Sequence, residues 1–186
     1  MTLEKQEPPP PTLSAPVFSL STLNDDGTTN MNIVTYVVPV GIRPTRKWVV
    51  SLWQGTLSHQ NFKKQRHGVL QLLRRRHAPL ISLLGKQSGS KANKQEECST
   101  AGFKWASLLD TVKSPLLLPH CAAYYPISFP ADREFQNAGE HDVAMCDLEV
   151  VLMQAGDAAI EAERGEEEEG DVVMYTSWLR TEGIIE

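Results

Sequence analysis

The stretch Asn24–Gln54, NDDGTTNMNIVTYVVPVGIRPTRKWVVSLWQ, decides how this chain folds. Asn24-Asp25-Asp26-Gly27 is turn chemistry, and Asp-Gly supplies the positive φ of a tight hairpin. Thr28–Val38 then runs through Thr, Ile, Val and Tyr, side chains that fit a pleated, half-buried surface. Pro39 and Pro44 bracket a break, because proline cannot donate to a sheet ladder. Lys47–Trp53 (KWVVSLW) reads as a further strand. Just upstream, Val17–Leu23 (VFSLSTL) alternates apolar with small polar residues, the period of a strand with one buried face. These three consecutive strands are expected to form an antiparallel meander.

Beyond Gln54 the pattern changes. Thr56 or Ser58 can cap a helix running to about Arg66, with Leu57 and Phe62 turned to the core. Gly68–Leu73 (GVLQLL) reads as a short buried strand, and Ala78–Leu84 as a helix ending at Gly85. Gln87–Asn93 (QSGSKAN) is a polar loop before a short helix near Lys94–Thr100. A strand is expected at Cys121–Ile127, a loop over Phe129–Gly139, and a long strand over His141–Gln154. In that last strand Val143, Met145, Leu148 and Val150 are the candidate core residues. The acidic segment Ala155–Gly170 suits a solvated hairpin tip or local disorder. Val172–Leu179 returns as a last strand or a short terminal element. At least six strands against a few short helices, with no βαβ rhythm, predict a mainly β protein. Its form would be an antiparallel barrel carrying peripheral helices.

The 186 residues, 41% of them hydrophobic, suffice for one domain with a sizeable core. That domain is placed at residues 16–186, after a flexible, proline-rich segment at 1–15. No run of 18 apolar residues is present, so no membrane helix is expected. The start, MTLEKQEPPPPTL, has neither signal-peptide nor transit-peptide character, which makes the cytoplasm the expected location. A net charge of −5 argues against nucleic acid as the main partner. Cys98, Cys121 and Cys146 are too widely spaced for a zinc site, so reduced thiols and no metal are expected. Neither GxGxxG nor GxxxxGK[ST] occurs.

Several motifs in order resemble the flavin reductase-like family, whose members have an FMN-binding split barrel. They are NMNIVTYVVPVGIRP, VVSLWQGTLSHQNFKKQ, GVLQLL, SGSKANKQEECSTAGFKW and EHDVAMCDLEVV, together spanning about Val17–Val151. The resemblance implies an antiparallel split β-barrel with short helices and non-covalent FMN near the interface of a homodimer. For many members it also implies NAD(P)H as co-substrate. The chain departs from the family where many members carry Asp-Lys-Phe: here the segment is Ala92-Asn93-Lys94-Gln95.

On that resemblance, Asn30, Met31, Asn32, Ile33, Val34 and Thr35 form the wall of the flavin ring, largely through main-chain groups. Otherwise they are an ordinary strand. Thr56 and Ser58 stand at a helix start, where free N–H groups and the helix dipole favour a phosphate; Ser51, Leu52, Gln54 and Gly55 lead into it. Thr56 can equally be a plain helix cap. Trp53 can stack near the ring or pack in the core. His59 can touch phosphate or face solvent on its helix, and the solvent-facing reading is preferred. Lys94, like Lys91, can reach the phosphate or remain a surface charge. Trp105 can cover the flavin or pack in the core. His141 and Asp142 are neighbours on a strand and so point to opposite faces. The expected function is that of an FMN-binding, NAD(P)H-dependent oxidoreductase. The alternatives are a non-catalytic flavin- or tetrapyrrole-binding module, or an interaction protein using the Arg74–Arg76 run and the acidic Glu166–Glu169 segment.

Overall fold

In the computed structural model, which describes residues 14–109, 114–153 and 172–185, the hairpin turn of Asn24–Gly27 forms as its sequence requires. Gly27 takes φ 82°, and its N–H donates to the Asn24 carbonyl. The Asp26 carboxylate accepts from the Thr28 amide and hydroxyl. This turn joins β1 (Phe18–Leu23) to β2 (Thr29–Val34). There follow β3 (Val37–Gly41), β4 (Arg46–Trp53), α1 (Leu57–Gln65), β5 (His67–Leu72), a 3-10 turn (Arg75–His77), α2 (Leu80–Gly85) and α3 (Lys94–Thr100). The described chain ends with β6 (Ala123–Ser128), β7 (Gln136–Ala138), β8 (His141–Leu148) and α4 (Thr176–Thr181). The expected segments at 1–13 and 155–170, including Glu166–Glu169, lie outside the described residues.

All strand pairs are antiparallel, in the order β2-β1-β5-β6-β8-β4-β3, with β7 added to β8. The two ends of this path, β2 and β3, are neighbours in sequence and are separated only by Thr35 and Tyr36. They do not pair with each other, so the sheet comes back on itself and leaves an unsealed seam there. This is a split barrel.

Three expectations change. Thr28–Val38 is two strands at opposite ends of the sheet, so the expected meander is not formed. Pro39 lies within β3, paired with Trp48 on the edge strand, and the ladder register shifts between Pro39 and Gly41. In β8 the inward residues are Asp142, Ala144, Cys146 and Leu148, while Val143 is half-buried and Met145 and Val150 are exposed. Of the four expected core residues there, only Leu148 is buried. The outer face of β8 carries the larger apolar side chains because it meets those of β4 and β3, with Val38 opposite Val49 and Val49 opposite Met145.

The barrel interior holds Phe18, Leu20, Val50, Leu52, Phe62, Leu70, Ile127 and Phe129. A second apolar layer lies between the outer side of the sheet and the short helices, with Val17, Met31, Leu73, Leu80, Leu84, Trp105 and Leu179. Cys98, Cys121 and Cys146 are buried free thiols. Among the described residues no helix is long and apolar enough to cross a membrane.

Candidate functional site

The site is built where β4 runs into α1 opposite the free edge of β2. Thr56 caps α1, its hydroxyl accepting from the His59 amide at 3.2 Å and donating to the Trp53 carbonyl at 2.9 Å. The other N–H groups of the first turn have no intrahelical acceptor and carry the positive end of the helix dipole. Ser58, the next hydroxyl, is buried and accepts from Asn30 Nδ2 at 2.8 Å, which ties α1 to β2.

A recess of about 630 Å³ opens beside this helix start. Asn30 and Asn32 of β2, Trp53–Ser58 without Gln54, and the loop Gly85–Ala92 with Lys94 line it. A smaller recess of about 220 Å³ continues it between β2 and β4, lined by Asn32–Tyr36, Ser51–Trp53 and His141. The two share Asn32, Trp53, Thr56 and Gly85. The Met31 carbonyl turns away from β1 to meet Lys94. Because main-chain groups alternate along an antiparallel strand, those of Ile33 turn the same way, toward the smaller recess. Trp53, half exposed, spreads its ring over Gly55, and a Cβ there would stand 3.0 Å from the ring.

Lys94 differs from the surface lysine or phosphate ligand expected of it. It is buried, and its Nζ donates to the Met31 carbonyl at 3.0 Å and the Leu84 carbonyl at 2.8 Å. Burial lowers its pKa to about 8. It clamps two walls of the recess together and touches its interior from behind. The exposed cations are Lys86 and Lys91 on the opposite rim.

Asn30, Asn32, Ile33, Val34, Thr35, Ser51, Leu52, Trp53, Gly55, Thr56, Ser58 and Lys94 all line one or other recess. Met31 adjoins through its carbonyl while its side chain is core. Trp105 packs in the outer apolar layer with Cys98 and Leu117 and lines neither recess. His59 is buried rather than solvent-facing, its Nε2 2.8 Å from Asp142 Oδ2. Gln54 is also bonded to Asp142. Leu57 is half-buried and lines the recess instead of the core. His141 and Asp142 do point to opposite faces: His141 meets Ser51 and Tyr36 outside, Asp142 turns inward. Sequence reasoning missed Tyr36, Gln87, Ser88, Gly89 and Ser90. The small, polar composition of QSGSK was the one available signal for the last four.

Gly89 is where that loop crosses Asn30. A Cβ at Gly89 would collide with the Asn30 side-chain oxygen and press within 3.3 Å of Leu57. Gly89→Ala should therefore push the loop outward and weaken ligand binding in the recess roughly tenfold, at a stability cost of about 1–2 kcal/mol. Titration calorimetry with the ligand and denaturant unfolding measure the two effects separately.

Neither a protein-family model nor a curated protein sequence matches the chain. Solved structures do. The FMN-binding protein of Thermus thermophilus superposes with a TM-score of 0.65 at 16% identity, over 84% of this chain and 82% of the other. Flavoredoxin of Methanosarcina acetivorans gives 0.65 at 14% identity, over 82% and 77%. The styrene monooxygenase flavin reductase of Pseudomonas putida gives 0.60 at 12% identity, over 76% and 83%. The fold is the split barrel that these proteins share. The recess of this chain offers main-chain groups on a free strand edge, an indole and Leu57 as apolar faces, a helix N-terminus and two lysines, a set that suits a planar ring carrying an anionic group.

Proposed function

We propose that the split barrel holds FMN in the joined recesses and works as an NAD(P)H-dependent, flavin reductase-like oxidoreductase. The carrying observation is the convergence of three groups of different chemistry on one cavity. These are the edge of β2, the N-terminal turn of α1 and the Gly85–Ala92 loop with its lysines. Asn30–Thr35 and Trp53 would hold the ring, and the Gly55–Ser58 turn with Lys86 and Lys91 the phosphate. Flavin supplies hydride-accepting chemistry when bound; the protein's part is to fix its orientation and exclude water. No side chain need act as a nucleophile.

Adding FMN to the purified protein should quench flavin fluorescence with 1:1 stoichiometry and shift the visible bands. A protein that takes up no FMN ends this reading. Steady NAD(P)H oxidation in the presence of FMN supports reductase turnover. Binding without oxidation moves the reading to the non-catalytic module.

The same reading includes a homodimer, and the outer face of β3, β4 and β8 supports it. Val38, Val40 and Met145 are each about half exposed, beside Tyr36 and Trp53 at the mouth of the smaller recess. Large contiguous apolar patches of this kind mark interaction surfaces. A second copy seated there would also cover the ring end of the site. The double variant Val38→Lys, Met145→Lys should sediment as a monomer where the wild type sediments as a dimer, and bind FMN roughly tenfold more weakly. Analytical ultracentrifugation with and without FMN tests this.

A further inference from the structure

The turn Gly55–Ser58 must present its N–H groups in a set direction, yet it is a short connection between a strand and a helix. Two of its bonds are local, the Thr56 amide donating to the Trp53 carbonyl and the Thr56 hydroxyl bridging Trp53 and His59, while Ser58 at its end accepts from Asn30 of β2. The residues on either side of the turn are Gln54 and His59. Both reach the same buried group on another strand.

We infer that Asp142 is the positioning residue of this site: its carboxylate spans the two flanks of the phosphate-facing turn and sets the turn's geometry. Asp142 Oδ1 accepts from Gln54 Nε2 at 2.9 Å, and Oδ2 from His59 Nε2 at 2.8 Å. Lys63 Nζ stands 3.6 Å from Oδ2. The carboxylate is nearly buried and belongs to β8, which the β4 ladder aligns residue by residue, Leu52 opposite Asp142. The anchor is therefore held in place by a sheet ladder. Among the described residues the bond to Asp142 is the only hydrogen bond of the His59 ring, because its other nitrogen, Nδ1, is buried without a partner there and Phe135 meets the ring edge-on. Burial pushes the Asp142 carboxyl up, but the hydrogen bonds from His59 and Gln54 outweigh it and hold the carboxyl below the ordinary aspartate range.

Asp142 lines neither recess, and the two groups its side chain holds are the flanks of the turn. The inference rests on the flavin reading, and it predicts a selective effect. FMN carries the phosphate that the turn receives, whereas riboflavin lacks it and uses only the ring wall. A positioning role should therefore weaken FMN much more than riboflavin. General loosening of the barrel would weaken both alike.

The test is fluorescence titration of the full chain with FMN and with riboflavin, well below each variant's unfolding temperature. Asp142→Asn removes the charge and replaces one acceptor oxygen with an NH2 group, so at least one of the two charge-assisted ties is lost or reversed. Its FMN Kd should rise roughly tenfold or more while its riboflavin Kd changes less than about threefold. His59→Gln retains an N–H for Asp142 and should restore most of the FMN-over-riboflavin preference. If Asp142→Asn does not fold, Gln54→Ala and His59→Ala each remove one tie and should show the same selective loss. Equal weakening of both flavins, or an unchanged FMN Kd, overturns the inference while leaving the flavin site standing. A wild-type protein that binds neither flavin overturns the flavin reading, and this inference with it.

Discussion

Lys94→Met should lower the free energy of unfolding by about 3 kcal/mol and abolish high-affinity flavin binding, although methionine fills nearly the same volume. The reason lies in the two acceptors. The Met31 carbonyl sits on the free edge of β2, and the Leu84 carbonyl belongs to the last turn of α2, where helical carbonyls have no partner in the helix. Lys94 Nζ satisfies both from a buried position, and removing it strands two buried acceptors at once. The β2 edge and the Gly85 loop, both recess walls, then lose the tie between them.

The same lysine should leave a mark on the pH dependence of stability. Burial lowers its pKa from 10.5 to about 8 in the folded chain. Below pH 8 both states are protonated and folding bears the full cost of burying the cation. Between about 8 and 10.5 only the unfolded chain binds the proton, so stability rises with pH, by at most about 3 kcal/mol. Urea denaturation from pH 7.5 to 10.5 should show that rise in the wild type and lack it in Lys94→Met.

Acid should act through His77, and by as much. This ring is 1% exposed beneath α2, and burial lowers its pKa from 6.5 to about 4. Its partners set the tautomer: Nδ1 accepts from the Arg74 amide at 3.2 Å, which leaves Nε2 to donate to the Pro119 carbonyl at 3.1 Å. A second proton on Nδ1 would find the Arg74 carbonyl at 3.3 Å, but burial of the charged ring, with Phe103 packed against it, outweighs that bond. Above pH 6.5 neither state is protonated and the contribution is complete. From 6.5 down to about 4 the unfolded chain binds the proton and the folded one does not, so stability falls with pH, by up to about 3 kcal/mol. His77→Gln should flatten the slope of unfolding free energy against pH in that window. A wild-type slope unchanged by the substitution would assign acid lability elsewhere.

What could be read from the sequence is local. The Asp-Gly hairpin, the Thr56 cap, the helix over Lys94–Thr100 and the strand character of KWVVSLW each follow from a few adjacent residues, and each is present. The order of motifs is enough to anticipate a split barrel and to put part of the recess lining on β2 and the β4–α1 turn.

Other features depended on distant pairing. Thr28–Val38 is one unbroken β-branched run, so nothing in it marks Thr35-Tyr36 as the point where one sheet end stops and the other begins; barrel closure decides that. In β8 both faces carry apolar residues, and alternation cannot tell which face is inside. The interior took the small Ala144 and Cys146 because β4 and β6 already fill it, and left Met145 outside. Lys94 reads in the sequence as a phosphate contact or a surface charge, and only α2 and β2 bring it the two carbonyls that it holds. Gln54 and His59 each lie more than 80 residues from Asp142 and share no local signal with it. Periodicity and turn chemistry act over a few residues and survive in the sequence. A buried polar group acquires its role only from the partner that the closed barrel sets beside it.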